Sequence, residues 1–120
     1  MQGRENILHE KTMNFAIRIV KMYQFLGEKK KEYIMSKQLL RSGTSIGALV
    51  RESQHGESTA DFVHKLSIAL KEANETAYWI ELLLRSAYID MEMFASINDD
   101  CQEIVSLLVK IIKSTKEKMK

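Results

Sequence analysis

The chain has 120 residues, 45% of them hydrophobic and 28% charged, with a formal net charge of +2; a chain of this size forms a single domain, residues 1–120, burying roughly two-thirds of the surface its unfolded state exposes. Proline is absent and glycine occurs five times, which fits long helices with short connections and argues against sandwiches, barrels and disordered linkers. One cysteine excludes an internal disulfide framework, no run approaches the roughly 18 consecutive apolar residues of a membrane span, and the polar start MQGREN is not a secretory signal, so a cytoplasmic protein with no membrane partner is expected.

In chain order, Leu8, Thr12, Phe15, Ile19, Met22 and Leu26 recur at spacings of four and three and predict a first helix from about Asn6 to Leu26, ended by Gly27 and the charged run GEKKKE. A second helix is expected from about Tyr33 to Ser53, presenting Met35, Leu39, Ile46, Leu49 and Val50. Its centre, RSGTSIGA, is short of side-chain bulk, and each interior glycine costs about 1 kcal/mol relative to alanine. Close approach of a neighbouring helix at Gly43 and Gly47 would offset that cost; the alternative is a bend near Gly43. No strand precedes these glycines and no Lys-Ser/Thr follows them, so they are not a phosphate loop. Gly56 is placed to end this helix.

The longest helical pattern runs from Ser58 to Ala87, ending near Tyr88, with Ser58 as its cap and Asp61 in the capping-box position. Phe62, Leu66, Ala69, Ala73, Ala77, Ile80, Leu84 and Ala87, with Leu70 beside them, form its expected core stripe, and Ser67, Lys71, Asn74, Tyr78, Glu81 and Arg85 a hydrated face. Ile68, Glu72, Glu75, Trp79, Leu82 and Leu83 lie on the flank, widening the apolar arc beyond what a lone bundle requires. A subunit contact at Ile68, Trp79 and Leu82 is the expectation. Asp90 can cap a fourth helix carrying Phe94, Ile97, Cys101, Ile104, Leu108 and Ile111, where Cys101 reads as a small buried residue rather than a nucleophile. Short connections between long helices predict an all-α, antiparallel up-down-up-down four-helix bundle.

Candidate chemistry is sparse. Glu52 and His55 have the Glu-x-x-His spacing of a di-iron bundle, but a complete site needs a second such motif and two further glutamates, and His9 and His64 have no ligand spacing. Glu72 and Glu75 could act as an acid and base pair, or join a buried ion-pair network with Arg41 on the small-residue helix, which also carries Arg51. No nucleophile, oxyanion donor or metal set accompanies them, so no catalytic residue, metal, cofactor or small-molecule substrate is expected. Basic clusters occur at Lys29, Lys30 and Lys31 and at Lys110, Lys113 and Lys116, the latter followed by Lys118 and Lys120. Lysines at a helix end can simply offset the macrodipole, or they can contact phosphates.

The segments SKQLLRSGTSIGALVRES and DFVHKLSIALKEANETAYWIELL resemble the two signature blocks of the 23S rRNA-intervening-sequence protein family. Ser36, Gln38, Leu39, Arg41, Ser45, Ile46, Gly47, Ala48 and Glu52 match the first block. Phe62, Leu66, Ser67, Ala69, Glu72, Ala73, Glu75, Thr76, Trp79 and Leu82 match the second. The family pattern usually has asparagine and alanine where this chain has Leu49 and Arg51, so that asparagine's contact does not carry over. The resemblance implies a cytoplasmic bacterial four-helix bundle, often a pentameric ring. Some members are encoded inside insertions of large-subunit rRNA genes, and similar bundles are accessory proteins of diversity-generating retroelements that bind a reverse transcriptase and nucleic acid. The expectation is thus a non-enzymatic, RNA-associated homo-oligomer using its lysine clusters on phosphates, with a protein scaffold that binds no nucleic acid as the alternative.

Overall fold

Four apolar stripes meet in one core. The computed structural model describes residues 2–120, and the side chains of all of these except residues 2, 4 and 5. The helices are α1 (Gln2–Lys30), α2 (Met35–Ser53), α3 (Thr59–Arg85) and α4 (Met91–Met119). Leu8, Phe15, Ile19 and Leu26 of α1, Leu39, Ile46 and Val50 of α2, and Ile97, Cys101, Ile104, Leu108 and Ile111 of α4 are all buried, as their spacing predicts. Each helix packs on its sequence neighbours and α1 closes on α4, while among the described residues the diagonal pairs bring no Cα atoms within 8 Å of each other. Cross-contacts run in opposite chain directions at every seam: Ile19 faces Gly43 and Thr12 faces Gly47, Arg41 meets Glu72 and Glu52 meets Lys65, Cys101 meets Ala73 while Leu84 shares a groove with Met93 and Leu70 one with Ile112, and Arg18 meets Asp100 while Lys11 meets Glu103. The helices therefore alternate in direction around the bundle.

The glycines of α2 mark close approach. A Cβ on Gly43 would lie 2.8 and 2.9 Å from two carbons of Ile19, and one on Gly47 would lie 3.4 Å from the Thr12 backbone and hydroxyl oxygens. α2 continues unbroken through both, and the close packing against Ile19 and Thr12 offsets the glycine cost.

Several boundaries differ from expectation. α1 passes through Gly27 and stops at Lys30, because Lys31 adopts a left-handed φ of 55° and the Glu32 amide turns back to the Leu26 carbonyl at 3.0 Å. α2 starts at Met35 rather than Tyr33. Its first amides are satisfied by the buried Glu32 carboxylate, which accepts from Ile34, Met35 and Ser36 at 3.1, 3.0 and 2.7 Å. Burial pushes that carboxyl up, but the amides of Met35, Ser36 and Ile34 and the Ser36 hydroxyl together outweigh it and hold the group below its ordinary value. Gly56 does not use a left-handed conformation to end α2; its small size matters instead, since a Cβ would sit 3.2 Å from both the Ser53 carbonyl and the Asp61 carboxylate.

Ser58 caps α3 by accepting from the Asp61 amide at 3.0 Å, while Asp61 reaches back to the Glu57 amide at 3.3 Å, one residue earlier than a strict capping box. Asp90 caps α4 by accepting from the Met93 amide at 2.8 Å. On α3 the buried line is Val63, Leu66, Ala69, Ala73, Thr76, Ile80 and Leu83. Phe62, Ala77 and Leu84 are only half-buried, and Ala87 is exposed. The stripe is rotated toward α2 because α3 packs against α2 and α4 together, and the Thr76 hydroxyl lies 3.0 Å from that of Ser42 across the α2/α3 seam. Among the described residues no helix is long and apolar enough to cross a membrane.

Candidate nucleic-acid interface

The inward stripe of α4 continues to Ile111, Ile112 and Thr115, which forces the lysines between and after them outward. Lys113, Lys116 and Lys120 line a groove of about 420 Å³ between α3 and the end of α4, with Leu70, Val109 and Ile112 beside them. Lys110 is exposed on α4 but does not line that groove. Lys29 and Lys30 occupy the last turn of α1, and Lys30 Nζ lies 5.9 Å from the centre of the Phe25 ring, a contact worth about 0.5–1 kcal/mol at an exposed site.

The alternation of helix direction puts these two clusters at opposite ends of a body 49 Å long. That separation is several times the Debye length of roughly 8 Å at physiological salt, so in one chain they act independently. Lys29, Lys30, Lys31, Lys110, Lys113 and Lys116 are exposed, and among the described residues none of them forms an ion pair. Away from these clusters the basic groups are divided: Lys21, Lys37, Arg51 and Lys71 form no ion pair among the described residues, and five others do. Lys11 pairs with Glu103, Arg18 with Asp100 at 2.6 Å, Arg85 with Glu81 at 2.9 Å and Lys65 with Glu52 at 3.5 Å.

Arg41, Glu72 and Glu75 come together, but the network is not buried. Arg41 Nη1 lies 3.2 Å from Glu72 Oε1 and its other terminal nitrogen binds Glu75, yet the three side chains are 49%, 21% and 37% exposed. The cluster sits on the outer face of the α2/α3 seam, where small residues hold the inner line and leave the long side chains to solvent. Ion pairs this exposed contribute about 0–1 kcal/mol. The Trp79 indole donates to Glu75 at 3.0 Å, and this bond, with Arg41, holds the Glu75 carboxyl below its ordinary value. Such a group stays ionised at neutral pH and is a poor proton donor. Arg51 is not part of the cluster; it faces a groove between α1 and α2 with His9, Met13 and Ala48.

Trp79, Ile68 and Leu82 are half-buried within one chain, and Leu83, expected on the same flank, is fully buried. The most exposed apolar helix face lies elsewhere. Met13, Ile17 and Val20 are 42%, 47% and 38% exposed on α1, at spacings of four and three that were readable in the sequence but outside the inward stripe. Cys101 is buried, its thiol pushed up to about 12 by burial and then by Asp100. His55 is exposed beyond the end of α2, and Glu52 is engaged by Lys65; among the described residues no group of three His, Cys, Asp or Glu side chains converges as a metal site would.

These features define an all-helical antiparallel bundle with exposed lysines at both ends that form no ion pair among the described residues. The family model of the 23S rRNA-intervening sequence protein matches residues 4–110, and the chain belongs to that family. Among solved structures it is similar to a protein of unknown function from the S23 ribosomal protein family of Bacteroides thetaiotaomicron, with 56% identity and a TM-score of 0.91 over 92% of this chain and 98% of that one. No protein of curated description matches it.

Proposed function

We propose that the protein is a non-enzymatic homo-oligomer that associates with RNA through its end lysines. The observation that carries this reading is the clustering of exposed lysines at the two ends: Lys29, Lys30, Lys31, Lys110, Lys113 and Lys116 form no ion pair among the described residues, which leaves their charge available to phosphates. The family description, 23S rRNA-intervening sequence protein, and the relative's assignment to a ribosomal protein family support it. Self-association would repeat a net charge of +2 per chain around the assembly. Its contacts fall on the Ile68, Trp79 and Leu82 flank and on the exposed Met13, Ile17 and Val20 face, with the ring of five implied by the family resemblance as the reference size.

The test is fluorescence anisotropy with labelled structured and single-stranded RNA, using wild type, the triple reversal K29E/K30E/K31E and the triple reversal K110E/K113E/K116E. Each reversal is expected to weaken binding at least tenfold with the melting temperature unchanged; affinities equal to wild type contradict the reading. A light-scattering mass equal to one chain at micromolar concentration contradicts the self-association. The second reading, a scaffold that binds proteins and no nucleic acid, is favoured by one observation, the apolar floor between the α4 lysines.

A further inference from the structure

That floor supports a more specific statement, which shares Lys113 and Lys116 with the RNA reading but rests on the apolar groove beside them. We propose that the groove between α3 and the end of α4 docks an amphipathic helix of a partner protein, with its apolar stripe on Leu70, Val109 and Ile112 and its acidic flank against Lys113, Lys116 and Lys120. Val109 is 46% exposed, Leu70 is half-buried and Ile112 closes the bottom. Aliphatic side chains add little to a phosphate contact, and single-stranded nucleic acid is held by aromatic platforms, of which this groove has none. A trough between two antiparallel helices instead accepts the ridge of a third helix.

The charge pattern specifies the visitor. Lys113, Lys116 and Lys120 share the face of Val109 and span roughly 10 Å of helix axis at a rise of about 1.5 Å per residue. Carboxylates on successive turns of a docked helix, about 5.4 Å apart, match the step from each of these lysines to the next. The single acid in the lining, Glu117, forms no ion pair with these lysines, so the rim stays positive and overrides the partial negative charge of the α4 C-terminus.

The probe is a fluorescein-labelled 18-residue synthetic helix with leucine at heptad positions a and d and glutamate at e and g, titrated against the full chain, beside the same peptide with lysine replacing glutamate. Wild type is expected to bind the glutamate peptide. Val109→Ser, a change at an exposed position whose fold is checked by circular dichroism, should weaken that binding at least fivefold. The triple reversal K113E/K116E/K120E should weaken it at least tenfold and transfer binding to the lysine peptide. Absence of glutamate-peptide binding overturns the proposal, as does equal affinity for wild type and Val109→Ser, which would mean unspecific charge attraction. A uridine 12-mer that loses affinity with both sets of changes would place RNA in the groove, and a light-scattering mass that falls in Val109→Ser would place a second copy there; either result overturns docking of a partner helix. RNA affinity that survives Val109→Ser and falls in K29E/K30E/K31E leaves the RNA reading standing on its own.

Discussion

Where α1 meets α2, the facing backbone carries Gly43 and Gly47, and Ile19 fills the space so fully that a methyl on Gly43 would collide with it at 2.8 Å. Where the same helix meets α4, both faces carry large side chains, Met22 and Phe25 against Met93 and Ile97, and a groove of about 540 Å³ stays open between them. Long charged side chains bridge this second seam: Arg18 reaches Asp100 at 2.6 Å and the Ser96 carbonyl at 3.1 Å, and Lys11 reaches Glu103. Small residues let backbones close and let dispersion and burial hold the seam. Large ones hold the helices apart, and the seam is spanned by surface ion pairs that add little stability. The bundle therefore has a rigid side and a looser one.

The strongest way to break this contrast is to truncate equivalent side chains on the two sides of α1. Ile19→Ala, at a fully buried position, is expected to destabilise by about 2–5 kcal/mol. Met22→Ala, half-buried in the open groove, should cost about 1 kcal/mol, scaling with its smaller lost burial. Equal losses in urea unfolding would show that the two seams are equally packed.

A sharper version uses the glycines. Gly43→Ala should destabilise by about 1–3 kcal/mol through overpacking, whereas Gly47→Ala, with its nearest contacts at 3.4 Å, should be neutral or gain up to about 1 kcal/mol from helix propensity. In an Ile19→Ala background the Gly43→Ala penalty should vanish, because the colliding atoms are gone; a penalty that persists in that double-mutant cycle would place the strain elsewhere.

Smaller again is the junction that leads from α1 into α2 on the closed side. Glu32→Gln removes a charged cap from three amides and should cost about 1–2 kcal/mol at neutral pH. The Glu32 carboxyl titrates below its unfolded value, so its contribution is complete above the unfolded pKa of about 4.3 and is lost as pH falls through the lower folded value. The stability gap between wild type and Glu32→Gln should therefore be constant above about pH 5 and narrow below pH 4. A gap independent of pH would assign the effect to packing.

Much of this could be read from residue order. The inward stripes of α1 and α4, the Ser58 and Asp90 caps and the close approach at Gly43 follow from periodicity and residue type. The Glu32 cap did not, because glutamate is not an ordinary capping residue and works here only through the left-handed turn at Lys31. The α3 stripe was misplaced by part of a turn since apolar pairs such as Phe62 and Val63, or Leu83 and Leu84, leave its centre undetermined until two neighbours are packed. Arg41, Glu72 and Glu75 were paired correctly by face, but their exposure depends on which side of the α2/α3 seam that face occupies. The groove at Leu70 and Val109 requires the register of two helices, which no local pattern contains.

The most direct test of the account is the salt dependence of single-stranded RNA binding by the wild-type protein. If five phosphates are neutralised at each site, affinity should fall about 100-fold between about 50 and 200 mM salt. Absence of binding at 50 mM, or an affinity unchanged by salt, would contradict a role for the exposed end lysines in holding RNA.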